Sequence, residues 1–234
     1  MALYPLTIGT ARVRAGSWRG SDELAYLVPL TGAATLTPST LARIRDRLLR
    51  DGFSAVVTAA VGPTERRVLE ADGFALHELL HLLCHDLGPS LPDPPGRHLS
   101  IRRARRRDRD EVLDVDGATF DDFWRLDRHG LAEAIEATPT SRIRVVRDIR
   151  VVAYAVAGRA GSQGYLQRLA VDPSVQGRGL GTALVSDALH WLRRRGATTV
   201  WVNTQEANQR ALALYSKTGF RAAGHQLTVL RRDL

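Results

Sequence analysis

Leu180, Leu184, Ala188, Trp191 and Leu192 recur at the three-to-four-residue spacing of one buried helical face. The same pattern occurs earlier, over LARIRDRLLRDGFSAVV at 41–57, where Ile44, Leu48, Arg50, Gly52 and Val56 fall on Ala188, Leu192, Arg194, Gly196 and Val200. EADGF at 70–74 then echoes SKTGF at 216–220, with Gly73 and Phe74 matching Gly219 and Phe220. A repeat of this kind points to an internal duplication. In the later copy Arg193, Arg194 and Arg195 suit the negative end of the helix, and Gly196 its cap.

Between the copies, HLSIRRA predicts a strand, followed by helices over Glu111–Phe120 and Leu126–Ala137. Alternating or continuous apolar runs predict strands in SRIRVVRD, VVAYAVAG, GYLQRLAV, TTVWVN and LTVLRR. A helix from about Ala207 to Lys217 is stopped by Gly219, which makes the order of the second part β-α-α-β-β-β-α-β-α-β. The clearest seam is GPSLPDPPGR at 88–97, because neither proline nor glycine supports a continuing helix or a central strand. It predicts three regions: a smaller first domain over 1–90, a proline-rich linker over 91–97, and a larger domain over 98–234.

Composition adds bounds rather than a function. The apolar content of 44% suffices for globular cores, and no run approaches membrane-spanning length. One cysteine, Cys84, excludes an internal disulfide; with an N-terminus unlike a signal peptide, it predicts a cytoplasmic protein. The net charge of +8 invites a nucleic-acid partner. Almost all the cation is arginine, however, and Lys217 is the sole lysine. The densest run, IRRARRRDRD at 101–110, is broken by Asp108 and Asp110 and crosses from a strand into the first turn of a helix, so a solvated face is the favoured reading.

Chemistry concentrates in QGRGLG at 176–181. Glycines at 177, 179 and 181 let the backbone take positive φ and approach a ligand closely. A helix begins directly behind, so its free N–H groups favour an anion such as a phosphate. A Walker loop needs Gly-Lys-Ser/Thr and no lysine lies here; a dinucleotide fingerprint needs glycine where Thr182 stands. A tight strand-to-helix turn is the alternative. In the first copy GAATLT at 32–37 occupies this place and lacks the alternating glycines, so only the second copy carries a ligand loop.

LAVDPSVQGRGLGTALV, followed by VNTQEANQRALALYSKTGF, resembles the acyl-CoA-binding half of the GNAT superfamily of N-acetyltransferases. The resemblance covers 98–234 in element order. It is strongest to the bacterial ribosomal-protein alanine acetyltransferases, and the tandem layout with one degenerate half is similar to mycothiol synthases. It implies an α/β fold, a GNAT-like mixed central sheet flanked by helices, preceded by a smaller degenerate GNAT-like half. It also implies transfer of an acetyl group from acetyl-CoA, as cosubstrate, to an amine, with no metal. Gln176, Gly179 and Gly181 satisfy the family's pyrophosphate pattern, so Gly177, Arg178, Gly179, Leu180, Gly181 and Thr182 are expected around the pyrophosphate. Leu169, Ala170 and Val171 would offer backbone groups to the pantetheine arm. Asn208 would bond that arm, and Tyr215, seven residues on along the same helical face, would give a proton to the leaving thiolate.

The usual base positions of these relatives are occupied by Asn203 and Tyr165, neither of which takes a proton at neutral pH. Asn203 is therefore expected to act through water, and Glu206, Asp121, Asp122 and His190 are the other candidate bases. An enzyme without a strong base favours an α-amine, in a protein N-terminus or a small molecule, over a lysine side chain. Two alternatives belong to other classes. HELLH at 77–81 fits a zinc metallohydrolase if helical, but its register with the last strand of the chain predicts a strand and no metal. The other alternative is a non-catalytic module binding CoA or nucleic acid.

Overall fold

The computed structural model describes residues 3–88, 90–93 and 100–234. In chain order the elements are β1 (Tyr4–Ile8), β2 (Ala11–Ser17), β3 (Leu24–Pro29), α1 (Pro38–Arg50), β4 (Ala55–Thr58), α2 (Pro63–Ala71) and β5 (Ala75–His85). There follow β6 (Ile101–Arg103), α3 (Arg109–Thr119), α4 (Arg128–Glu136), β7 (Thr140–Arg147), β8 (Val151–Ala160) and β9 (Gln163–Val171). The chain ends with α5 (Leu180–Arg194), β10 (Thr199–Gln205), α6 (Gln209–Lys217) and β11 (Arg221–Asp233). The second part has the predicted element order. Pro94–Arg97 of the expected linker, and His98 and Leu99 of the first strand candidate, lie outside the described residues.

The repeat is matched element by element, α1-β4-α2-β5 against α5-β10-α6-β11. Gly52 and Gly196 follow the paired helices at φ of 95° and 81°, and Gly73 and Gly219 follow the second pair, both at 89°. Left-handed backbone is costly for any residue with a Cβ, which is why glycine recurs at these helix ends. On α1, Leu41, Ile44 and Leu48 are buried; on α5, Leu184, Ala188, Trp191 and Leu192 are.

The chain forms two compact units. The first is Met1–Leu82, Asn203–Ala207 and Ala223–Leu234; the second is Leu83–Val202 and Asn208–Ala222. These differ from the 1–90 and 98–234 halves that the proline-rich seam predicts. The reason lies in the last strand of each copy. Most of β11 belongs to the first unit, where Arg231, Arg232 and Asp233 pair antiparallel with Val57, Val56 and Ala55 of β4. The end of β5 belongs instead to the second unit, where Leu83 and Leu87 enter the core with Leu184, Tyr215 and Phe220.

In the first unit the strands run β1-β2-β3-β4-β11-β5, with β3 and β4 parallel and a core that includes Leu27, Leu41, Ile44, Leu48, Leu69 and Leu230. In the second they run β10-β9-β8-β7-β6, with β9 and β10 parallel and the others antiparallel. Both faces of β8 are covered. Ala153, Ala155 and Ala157 pack in the α5 core, while Tyr154 and Val156 pack with Val112, Val115 and Leu131 of α3 and α4. This double burial explains the unbroken apolar run VVAYAVAG.

Candidate active site

In the second unit β9 pairs with β10 only over Gln163–Tyr165, against Thr199–Trp201. From Leu166 to Val171 no pair joins these two strands among the described residues, although β9 remains paired with β8 on its other edge. At Gln167 the β8 pairing skips from Leu166 to Arg168, a one-residue bulge that re-aims the strand. The expected pantetheine residues Leu169, Ala170 and Val171 thus lie on an open edge whose N–H and C=O groups can take a peptide-like arm. The Val171 carbonyl already accepts from Gln176 Nε2 at 2.9 Å and Thr119 Oγ1 at 3.3 Å.

The chain then turns through Pro173–Val175, held by Asp172 accepting from Ser174 N at 2.9 Å, into the glycine loop. Gly177 and Gly179 sit at φ of 81° and 78°, and a Cβ at either would meet nothing within 4 Å. Positive φ, not crowding, requires glycine here, and the space above both is open. Gly179 is the N-cap of α5 and supplies no side-chain acceptor, so Leu180, Gly181 and Thr182 begin a helix with uncapped N–H groups. Gly181 serves packing: a Cβ there would lie 3.1 Å from Leu214 Cδ2 of α6. Arg178 is exposed beside the loop. An open strand edge running into an uncapped helix N-terminus offers backbone groups to an extended, peptide-like ligand and N–H groups to an anion.

Asn208 is the N-cap of α6, its Oδ1 accepting from Ala211 N at 3.0 Å, which leaves its Nδ2 for a ligand. Tyr215 is 5% exposed and packs against Phe220, ring centroids 5.5 Å apart; its hydroxyl has no hydrogen-bond partner among the described residues. Burial pushes its pKa far above the usual tyrosine value, opposed by the Arg168 charge, so it is a protonated phenol at neutral pH. Of the other expected positions, Tyr165 is half-buried where the β9–β10 pairing ends, and Asn203 is exposed on β10 within the first unit.

Residues 102–220 match the Acetyltransferase (GNAT) family. The chain belongs to that family. It is 35% identical over 81 residues to the ribosomal protein bS18 alanine N-acetyltransferase of Salmonella typhimurium, covering 35% of this chain and 55% of that relative. It is 30% identical over 169 residues to a mycothiol acetyltransferase of Rhodococcus erythropolis, covering 64% of this chain and 56% of that one. It thus spans about half the length of the curated relatives it matches. A GCN5-related N-acetyltransferase from Kribbella flavida superposes with a TM-score of 0.69 at 16% identity, over 98% of this chain and 89% of that one. A tandem GNAT protein from the clavulanic acid biosynthesis pathway gives 0.69 at 13% identity, over 95% and 78%. At such identities the likeness shows the fold, which is the expected GNAT-like mixed α/β fold.

The rival motif takes the strand form. HELLH lies within β5, where His77 and His81 are four residues and about 13 Å apart along the strand. That excludes the helical zincin arrangement, and among the described residues no group of three His, Cys, Asp or Glu side chains could hold a metal. Other expected bases have local partners. His190 Nε2 lies 3.0 Å from the Pro92 carbonyl, Asp121 accepts from Trp124 N at 3.0 Å, and Asp122 pairs with Arg125. Glu206 lies in the first unit, 4.0 Å from His81 and 3.2 Å from Gln226. In the basic run, Arg102 forms a two-pronged pair with buried Asp108 at 2.7 and 2.8 Å and so braces the fold, while Arg103, Arg105, Arg106, Arg107 and Arg109 are exposed. No helix among the described residues is long and apolar enough to cross a membrane.

One cluster went unread in the sequence. Asp116, Tyr154 and Arg168 meet in the α3–β8–β9 core, with Arg168 stacked over Phe120 at 3.4 Å. The available signal was a charge at the inward position of each element: Asp116 among Val112 and Val115, and Arg168 two residues before Ala170.

Proposed function

We propose that this chain transfers an acetyl group from acetyl-CoA to an amine. The observation that carries the reading is the unpaired edge of β9, Leu166–Val171, leading directly into the uncapped N-terminus of α5 at Gly179. Leu169, Ala170 and Val171 bind the pantetheine arm, the Gly177–Thr182 loop holds the pyrophosphate, and Asn208 Nδ2 adds a donor. Acetyl-CoA supplies an activated acyl group whose sulfur leaves as a thiolate. Tyr215 supplies the proton for that thiolate, since burial keeps its phenol protonated. A buried free thiol at Cys84 fits a reducing cytoplasm.

The acceptor is an α-amine. With amide and phenol side chains at the Asn203 and Tyr165 positions, the acceptor must arrive largely unprotonated. An α-amine with pKa near 7.7–8.0 is neutral in roughly one molecule in ten at pH 7, a lysine near 10.4 in about one in a few thousand. The names of the two relatives above, one for a ribosomal protein alanine and one for mycothiol, support both protein and small-molecule acceptors. Incubation of the full chain with acetyl-CoA and a synthetic peptide bearing N-terminal alanine and an internal lysine tests this by mass spectrometry. Acetylation at the α-amine is expected; faster modification of the lysine would overturn the acceptor assignment, and no thiol release with any amine would overturn the activity.

A further inference from the structure

Asp108 and Asp110 interrupt the basic run in the sequence, and the fold settles where both carboxylates go. Asp108 is buried and accepts from Arg102 at 2.7 and 2.8 Å and from Arg105 N at 2.6 Å, with Arg147 Nη1 3.5 Å away. Glu111 takes Arg147 at 2.7 and 3.0 Å and Val151 N at 2.6 Å. Asp110 pairs with Arg128 of α4 at 2.6 Å. The acids of the run are therefore matched by Arg102, Arg128 and Arg147. Arg103, Arg105, Arg106, Arg107 and Arg109 are exposed and have no ion pair among the described residues. Against these five cations, Asp114 alone of the α3 carboxylates is left without such a partner among the described residues.

The five fall within seven consecutive positions, from the end of β6 at the edge of the sheet, through a 3-10 turn over Arg106–Asp108, to the first residue of α3. Six Cα steps reach at most about 20 Å. Over that length a nucleic-acid duplex carries about a dozen phosphate charges, and guanidinium forks fit phosphate oxygens in pairs. An anionic bilayer would also meet the charge, but binding in its interface needs apolar side chains to insert. Between Arg103 and Arg109 the one apolar residue is Ala104, itself half-buried. We propose that Arg103, Arg105, Arg106, Arg107 and Arg109 form a docking surface for the phosphate backbone of a duplex nucleic acid, held without reading of its base sequence. Exposure and charge carry this, independently of the acetyl-transfer reading.

Fluorescence anisotropy tests it, with the full chain and two labelled DNA duplexes of about 20 base pairs and unrelated sequence, between 50 and 200 mM NaCl. Both duplexes are expected to bind alike, with a slope of log K against log salt of about −4, a loss of about 10²-fold or more across that range. Arg105→Ser, Arg106→Ser and Arg107→Ser together are expected to make the slope shallower by about 2 to 3 and to weaken binding at the lower salt by about 10-fold or more. A charge-matched triple in the first unit, Arg14→Ser, Arg43→Ser and Arg67→Ser, also removes exposed arginines and is expected to leave the slope unchanged. Equal losses in the two triples would show an effect of net charge and overturn the proposal. So would absence of duplex binding at the lower salt, or binding of phosphatidylserine-containing vesicles in place of the duplexes. Should the first triple fail to fold, Arg103→Ser with Arg109→Ser decides: a slope shallower by about 1 to 2 is expected, and an unchanged slope is the negative result.

Discussion

Burial of Tyr215 keeps the proton on its hydroxyl. In the proposed mechanism the hydroxyl matters as the thiolate forms, so Tyr215→Phe is expected to lower kcat by about 10²-fold or more with little change in acetyl-CoA affinity. Steady-state kinetics at saturating acetyl-CoA would show it, and equal rates would remove Tyr215 as the acid. Its pKa is higher in the fold than the unfolded value near 10, so the unfolded chain loses the proton first and stability falls as pH rises past about 10. Tyr154, also raised by burial, acts in the same direction. The urea midpoint is therefore expected to be insensitive to these two groups between pH 7 and 9 and to drop above about 10, less steeply in Tyr215→Phe. Tyr215 could be named as a candidate from the sequence because its spacing from Asn208 and the glycine loop is a shared pattern. Arg168 could not, because a charge inside the strand run GYLQRLAV gives no sign of the carboxylate that receives it 52 positions away.

The two copies of the helix after the ligand position differ at their first turn. In α1 the N-cap is Thr37, whose Oγ1 accepts from Thr40 N at 3.2 Å, and Pro38 follows with no N–H to offer. In α5 the cap is Gly179, with no side-chain acceptor and a left-handed backbone. The first helix has a side-chain cap at its N-terminus; the second has none, and the proposed function gives that end to the pyrophosphate. We therefore expect Gly179→Glu to abolish acetyl-CoA binding, since it sets a carboxylate where the pyrophosphate charge is proposed to lie and strains the backbone by about 1–2 kcal/mol. Isothermal titration separates the two effects: Gly179→Ala carries the strain without the charge and should retain measurable binding. Unaltered affinity in Gly179→Glu would remove the loop from the site. The contrast between GAATLT and QGRGLG was visible in the sequence, because positive φ selects glycine by steric exclusion. The reason for Gly181 was not, since its contact with Leu214 depends on where α6 packs.

Proline and glycine mark where the backbone bends, but not which half of the chain a strand joins. That is why the composition of the two units could not be read from the sequence. β11 carries the sequence of the second copy, yet Leu230 is fully buried in the core of the first unit, and Thr228 and Val61 pair backbone to backbone. Leu83 and Leu87 precede the seam and are buried in the second unit. A fragment covering 96–234 would therefore lose Leu83 and Leu87 from its core and leave β11 without β4. Each buried leucine lost in this way costs about 2–5 kcal/mol, a large fraction of the roughly 5–15 kcal/mol that stabilises a domain. The fragment alone is expected to lack near-UV circular dichroism and a cooperative urea transition. Fragments 1–90 and 91–234 expressed together are expected to copurify as one particle that unfolds cooperatively, because the strands each unit needs are then present. A monomeric 96–234 fragment with a sharp transition would show instead that the second copy completes its own core.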